Sequence, residues 1–547
     1  MENQKEIRSF AVGVQDFTWI RERKAPYMDK TQYVWKMVST NAVNFFLSRP
    51  RRFGKSLLVD TLRCYFEGRK ELFEGLYIYD KEKEWRQYPV IRIDLSSGKY
   101  YEKERLHGTI GGILRRLEED WHVKAVDEYN YDVRLTDIIK AAYEQTGERV
   151  VILIDEYDAP MLDSINNREL QDYIRERIRN LFSPLKAQAQ YLRFVFLTGI
   201  SKFSQLSVFS ELKNLQQLTF DPAYEGICGI TEEELLTQWK GDIEQLTEKM
   251  NKLYGRWGLH YTFDDVAAKL KETYDGYHFS KEMTNVYCPW SLVNAFTLGD
   301  IENFWFSTGT PAMLINVMRQ HHLFIQQIEH LQAGPERFDA PTESISDPIP
   351  VLFQSGYLTL KEYNPLTRKF LLGFPNGEVR EGFAKSLYKY YMEDYVGSQD
   401  ALGNAFNDLR FKNSTIEQFI EAVRRWYAGI PYCITDKNQN EQLYQSLIYA
   451  ALMGFGADVQ AEDQTSDGRM DIVLKLSDVI YIIELKYGKT ADEAVGQILQ
   501  KDYAVRFAAD PRPVTAIGLA ISEDRRTIDS YRVVPVEQKP QTKTNNI

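Results

Sequence analysis

The sequence predicts an α/β protein in two parts: a mostly parallel sheet covered by helices in the first 220 residues, and a smaller α/β unit beginning near Asn438. Three observations predict it. Short apolar runs between residues 41 and 220 alternate with stretches of helical spacing. One run, Val150-Val151-Ile152-Leu153-Ile154, is apolar at every position, as a strand buried on both faces must be. After a helical, aromatic-rich middle, strand and helix patterns return near the C-terminus.

In chain order, Asn44-Phe45-Phe46-Leu47 reads as a strand running into Gly54-Lys55-Ser56. Helical spacing follows through Leu57, Leu58, Leu62 and Phe66. Val90 to Leu95, Val150 to Ile154 and Leu192 to Leu197 are further strands. Residues 221–340 turn helical and aromatic, with turns at Tyr274-Asp275-Gly276-Tyr277-His278-Phe279 and Val286-Tyr287-Cys288-Pro289-Trp290-Ser291. In residues 345–385 a helix precedes strands at Gly356 to Leu360 and Phe370 to Leu372, a pattern that suits a winged-helix-like module. Residues 385–430 read as amphipathic helix. The last unit has a helix from Glu441 to Met453, paired strands at Asp471 to Leu474 and Tyr481 to Leu485, a helix from Ala491 to Phe507, and a strand from Thr515 to Ala520. The expected division is 1–230, 231–345 (helical lid), 346–435, 436–535, and a disordered tail at 536–547.

The chain has 547 residues, 44% hydrophobic and 27% charged, enough to bury several cores. A net charge of −11 argues against tight non-specific binding to nucleic acid, though charge counted along a chain does not show where it gathers in space. The four cysteines, Cys64, Cys228, Cys288 and Cys433, form no CxxC pair, which fits a reducing cytoplasm rather than a disulfide framework. No apolar leader and no run of about 18 apolar residues is present, so neither a signal peptide nor a membrane span is expected.

A phosphate cradle needs inward backbone N–H groups, a helix N-terminus, a lysine for the β- and γ-phosphates and a hydroxyl for Mg²⁺. Arg49-Pro50-Arg51-Arg52-Phe53-Gly54-Lys55-Ser56, between a strand and a helix, supplies these parts. Arg52 to Leu57 are the expected nucleotide-binding positions. Arg49 stands where the usual pattern has its first glycine. The apolar strand ending in Asp155-Glu156 is the expected partner: Asp155 to hold Mg²⁺ with Ser56, Glu156 to polarise the attacking water. Thr198, at the end of the next strand, stands either where a γ-phosphate could be sensed or in an ordinary loop.

Tyr27-Met28-Asp29-Lys30-Thr31, the RPRRFGKS loop, VVILIDEYDAP, YDGYHF and FPNGEV, in this order, resemble the AAA-ATPase-like family common in Bacteroides-like bacteria, over roughly residues 5–385. The first P-loop glycine is commonly replaced in that family. The resemblance implies an ATPase core of the additional-strand P-loop class, with the segment near Asp29 close to the adenine and Arg51 and Arg52 near the phosphates. Related ATPases often complete their site from a neighbouring subunit, so a homo-oligomer follows by analogy.

Asp471 is followed 13 residues later by Glu484, with Lys486 two beyond. Strand alternation places Glu484 and Lys486 on one face, and Asp471 can meet them from the adjacent strand. Two carboxylates bind divalent ions, and a lysine can position water or stabilise charge at a scissile phosphate. No histidine follows His330, so the ligands would be oxygens, favouring Mg²⁺ or Mn²⁺. Residues 438–525 resemble the PD-(D/E)XK nuclease superfamily, which has a restriction-endonuclease-like fold. The resemblance assigns the core acids to Asp471 and Glu484, the lysine to Lys486, a further acid to Glu441, and the accessory helix pair to Gln497 and Tyr503. Met470 stands where the superfamily name has proline. Residues 436–547 carry 13 Lys and Arg against 17 Asp and Glu, a poor balance for a free nuclease. The reading is an ATP-binding and ATP-hydrolysing protein whose metal-dependent nuclease domain acts on DNA or RNA. The alternative is an ATP-dependent switch with a non-catalytic nuclease-like module. A sequence-specific regulator built on 345–385 lacks a recognition helix rich in Arg, Asn or Gln.

Overall fold

The computed structural model describes residues 8–124, 128–164, 167–202, 215–308, 318, 325–329, 331–340, 347–391, 399–429, 441–465, 468–522 and 527–536. They fall into two compact units, 1–307 with 332–378 and 308–331 with 379–547.

The first unit is organised on five parallel strands: β1 (Asn44–Ser48), β2 (Val90–Asp94), β3 (Val150–Asp155), β4 (Leu192–Gly199) and β5 (Leu215–Gln217), in the spatial order β2-β3-β4-β1-β5. All six residues of β3 are buried, as its unbroken apolar run requires. The order puts β4 between the phosphate-loop strand β1 and the acid-tipped strand β3, the additional strand that the family resemblance implies. Ser48 pairs with Gly199, and Asp94 with Asp155, so the strands deliver their last residues to one edge of the sheet. That carboxyl edge is where open α/β sheets bind ligands. Helices Lys103–Asp120, Tyr131–Thr146 and Arg168–Phe182 bury their apolar stripes in the core beside β2 and β3.

A second core in this unit forms among helices Glu232–Gln238, Lys240–Tyr254, Phe263–Tyr274 and Pro289–Leu298, around Trp239, Met250 and Phe296. Capping boxes at Thr231/Glu234 and Thr262/Asp265 start two of these helices. The short strands β6 (Ile230–Thr231) and β7 (Val286–Tyr287) pair antiparallel. The expected pair of strands near residue 360 is an antiparallel hairpin, β9 (Thr359–Asn364) and β10 (Lys369–Gly373), joined by β8 (Leu331–Ala333) in a three-stranded sheet. Gly356, expected in the first of these strands, lies before it in a turn with φ of 88°, where a Cβ would stand 2.6 Å from Pro50.

The second unit carries the mixed sheet β11-β12-β13-β14-β15: Asp458–Thr465, Gly468–Lys475, Ile480–Tyr487, Val514–Ile521 and Ile528–Val536. The pair β13 and β14 is parallel and the others antiparallel. Helix Ala491–Gln500 connects β13 to β14 and covers the sheet through Ala494, Val495 and Ile498. The helix expected to reach Phe507 stops at Gln500, because Asp502 turns left-handed at φ 46° and Tyr503–Phe507 form a 3-10 turn. The amphipathic stretch 385–430 is broken: helices Gln399–Arg410 and Ile416–Ala428 are separated by Lys412 at φ 63°, with Thr415 capping the second. Residues 537–547, the greater part of the expected tail, lie outside the described residues, whereas Val536 closes β15. Cys433 also lies outside them; Cys64, Cys228 and Cys288 are buried free thiols. No helix among the described residues is long and apolar enough to cross a membrane.

Candidate phosphate and metal sites

After Ser48 the chain turns through six residues and enters helix Lys55–Phe66. Arg52 (φ 70°) and Gly54 (φ 88°) make the turn left-handed. The N–H groups of Lys55, Ser56 and Leu57 belong to the first helical turn, where no intrahelical acceptor exists for them, and the helix dipole adds partial positive charge. Lys55 is nearly buried. Its ammonium donates to Pro50 O at 3.3 Å and stands 3.3 Å from Glu156 Oε1. Glu156 itself is held at φ 49°, a conformation uncommon for a side chain of its kind.

Asp155 is fully buried at the end of β3, and neither carboxylate oxygen accepts a hydrogen bond. Arg92 of β2 lies 3.9 Å from Oδ2. Burial, then the charge of Glu156, pushes the carboxyl up to about 6, while the nearby Ser56 hydroxyl and Lys55 pull it down. A buried carboxylate without donors is costly unless an ion satisfies it. With a hydroxyl and a lysine alongside, the set fits a magnesium nucleotide.

The other loop residues have structural work. Arg49, at the position of the missing glycine, is 1% exposed. Its guanidinium donates to Ser48 O, Thr219 O and Tyr224 O and lies 4.0 Å over the Phe279 ring. Arg52 donates to Phe304 O at 2.7 Å and stacks on Trp290, so its guanidinium is committed there. Arg51 is exposed. Phe53 packs edge-on against Tyr277 and Phe279, which explains why the YDGYHF turn accompanies this loop. The Thr198 hydroxyl donates to Leu47 O at 2.8 Å and ties β4 to β1. Asp29 is a local cap, accepting from Thr31 N, Thr31 Oγ1 and Tyr77 N, while Lys30 pairs with Glu234 at 2.5 Å.

Two residues that sequence reasoning passed over organise this unit. Asp158, fully buried, accepts from Ile200 N and Ser201 N and so fixes the turn after β4. Burial and Glu156 raise its pKa well above the carboxylate range. Glu378, fully buried, accepts from Ser291 Oγ, Phe304 N and Trp305 N, with burial lifting it to about 7. The only sequence signal for either was its place in a recognised motif, IDEYD or FPNGEV.

In the second unit, Ile472 pairs with Ile483, so the antiparallel register carried one residue further sets Asp471 across from Glu484. Asp471 Oδ2 accepts from Leu485 N at 2.8 Å. Glu484 is fully buried. Its Oε1 accepts from Lys486 Nζ at 3.0 Å and from the Gln497 amide, and its Oε2 has no partner. Glu441, opening helix Glu441–Gly454, accepts from Lys486 Nζ and Tyr487 N, both at 3.2 Å. Burial, reinforced for Asp471 by Glu484, raises both core acids above their ordinary range. Burial alone would lower Lys486, but the surrounding carboxylates outweigh it and hold it raised.

Strand register and hydrogen bonds thus bring Asp471, Glu484, Lys486, Glu441 and Gln497 together, and Tyr503 follows on the turn after helix Ala491–Gln500. It opens the 3-10 turn and lies 1% exposed in the apolar cluster with Ile482 and Ile498. Among the described residues no group of three or more His, Cys, Asp or Glu is placed to hold a metal. The Lys486 ammonium is bonded to both Glu441 and Glu484. The unpartnered Glu484 Oε2 beside Asp471 still fits an oxygen-ligated divalent cation. Gln445, one turn after Glu441, donates to Asp471 O at 3.0 Å and was not legible as part of the site.

Two family models match the chain, one over each of the regions that carry these residues. Residues 11–209 match the family model described as predicted AAA-ATPase, and residues 439–531 match that of the PD-(D/E)XK nuclease superfamily. A protein of Azotobacter chroococcum mcd 1, entitled "Uncharacterized protein in vnfD 5'region", is 30% identical over 537 residues, covering 96% of this chain and 99% of its own length. The chain belongs to the family of that Azotobacter protein and carries an AAA-ATPase-like domain followed by a PD-(D/E)XK nuclease superfamily domain.

Proposed function

We propose that this chain is an ATP-controlled, metal-dependent nuclease. One observation, made in both units, carries the reading: a buried strand carboxylate with an oxygen lacking any hydrogen-bond partner stands near a lysine that is at least largely buried, Asp155 near Lys55 and Glu484 near Lys486. In the first unit Lys55 and the N–H groups through Leu57 hold the phosphates, Ser56 and Asp155 hold Mg²⁺, and Glu156 orients the attacking water. In the second, Asp471 and Glu484, with Glu441, hold Mg²⁺ or Mn²⁺. A bound divalent cation supplies Lewis acidity and a more acidic water. Lys486 stabilises charge at the scissile phosphate of DNA or RNA, and Gln497 fixes the Glu484 carboxylate. The nucleotide state of the first unit controls the second. Buried free thiols fit a cytoplasmic setting, and a homo-oligomer fits by analogy with P-loop ATPases.

A second reading, an ATP-dependent switch with a non-catalytic C-terminal module, is favoured by the Lys486 ammonium occupying both Glu441 and Glu484. A Mn²⁺ titration followed by electron paramagnetic resonance separates the two. The nuclease reading expects a site that Asp471→Ala removes and Asp155→Ala leaves. No Mn²⁺ affinity dependent on Asp471 would overturn the nuclease reading and favour the switch.

A further inference from the structure

The first unit contains a cavity of about 520 Å³ at the β9–β10 hairpin, away from the phosphate-loop residues. One wall is a row of rings. Tyr363 and Phe370 face each other across the hairpin register with centroids 4.7 Å apart, Phe370 meets Phe338 at 5.6 Å, and Phe338 meets Phe220 at 5.9 Å. Phe338 and Phe370 are buried, whereas Tyr363 and Phe220 keep part of their surface exposed to the cavity's solvent side. The rim is cationic. Lys281, Arg368 and Lys369 are all exposed lining residues, against one acid, Glu336. On a chain of net charge −11, three cations around an aromatic cavity are a local reversal of sign.

The volume is that of a site for a small organic group, and apolar walls with a few polar groups at the mouth are the usual form of such a site. Flat rings suit a flat heterocycle, and the cations suit the phosphates on either side of it. Glu336 can accept from an exocyclic amine.

We propose that this cavity receives one unpaired nucleotide of a single-stranded nucleic acid, its base against Tyr363 and Phe220 and its flanking phosphates against Lys281, Arg368 and Lys369. The site lies wholly in the first unit and does not require that the C-terminal site be catalytic. A strand is favoured over a free nucleotide because three exposed cations line the cavity, more than a single phosphate needs.

The test uses the full chain in EDTA, with the Asp471→Ala substitution as background, so that cleavage does not enter. A fluorescein-labelled single-stranded DNA of about 20 nucleotides is titrated by anisotropy at several salt concentrations. The expected result is saturable binding, weakened tenfold or more by Arg368→Glu with Lys369→Glu. The salt slope should fall by roughly two units when all three cations are replaced, at about 0.7 per phosphate contact. Tyr363→Ala should weaken binding severalfold and Tyr363→Trp restore it. A strand carrying 5-iodouracil should cross-link at the hairpin on irradiation, mapped by mass spectrometry to β9 or β10. The proposal is overturned if the strand does not bind, if the Arg368/Lys369 and Tyr363 variants bind as tightly as the parent, or if cross-links map only to the second unit. Displacement by adenosine monophosphate or a poly-glutamate peptide as effective as by unlabelled strand would also overturn it.

Discussion

The Lys55 ammonium stands 3.3 Å from the Glu156 carboxylate, pairing the cation of the phosphate loop with the acid at the tip of β3. A γ-phosphate and Glu156 therefore compete for the same charge. Glu156→Gln should remove that competition, so ATP binds at least as tightly as to the parent while turnover falls by about 10²–10⁴-fold, the scale of lost general-base assistance. Lys55→Ala should lose binding itself. Fluorescent-nucleotide titration and phosphate-release assays check both. Unchanged turnover in Glu156→Gln would remove this residue from the mechanism.

Asp158 satisfies two buried N–H groups, those of Ile200 and Ser201. Asp158→Ala should cost on the order of 1–3 kcal/mol for each donor left unpaired. Thermal unfolding should show a drop of several degrees, and ATP turnover should fall with it because the turn after β4 is released. A variant as stable as the parent would mean that water or neighbouring groups replace the carboxylate.

Arg49→Gly recreates the glycine of the usual phosphate loop. It should not improve ATP binding. The buried guanidinium holds three carbonyls, and its removal should destabilise the first unit by roughly 3 kcal/mol. Tighter nucleotide binding without loss of stability would show that Arg49 obstructs the cradle rather than building it.

Glu378 is lifted to about 7 by burial. The folded chain keeps this proton between the ordinary glutamate range and about pH 7, while the unfolded chain releases it. Stability therefore falls as pH rises through that window and levels above it, by about 3 kcal/mol at most. Glu378→Gln carries no such proton, so its unfolding temperature should gain on that of the parent between pH 5 and 8. Parallel curves for the two proteins would contradict the account.

What the sequence made legible follows from how locally each feature is encoded. Asp155 and Glu156 stood out because five consecutive apolar residues end in two acids. Asp471, Glu484 and Lys486 stood out because strand alternation alone aligns them. Asp158 did not, since its partners lie more than 40 residues away, and neither did Gln445, whose hydrogen bond is to a backbone carbonyl. The helix continued to Phe507 in the sequence because apolar spacing persists through Asp502, whose left-handed backbone no periodicity encodes. Strands β11 and β15 were missed because both are edge strands: Asp458–Thr465 carries no apolar run, and the short apolar run of Ile528–Val536 is interrupted by Pro535. Arg49 looked like damage to a phosphate motif, and only its three carbonyl partners show it as a buried brace.

The central claim is tested most directly by incubating the full chain with Mg²⁺ or Mn²⁺ and single- and double-stranded DNA and RNA, with ATP, ADP or no nucleotide. The parent, Lys55→Ala, Asp471→Ala and Lys486→Ala proteins are compared. The account predicts metal-dependent cleavage that changes with nucleotide state, loses that dependence in Lys55→Ala, and disappears in Asp471→Ala and Lys486→Ala. No cleavage of any substrate in any nucleotide state, or cleavage that the Asp471 and Lys486 variants retain, would contradict it.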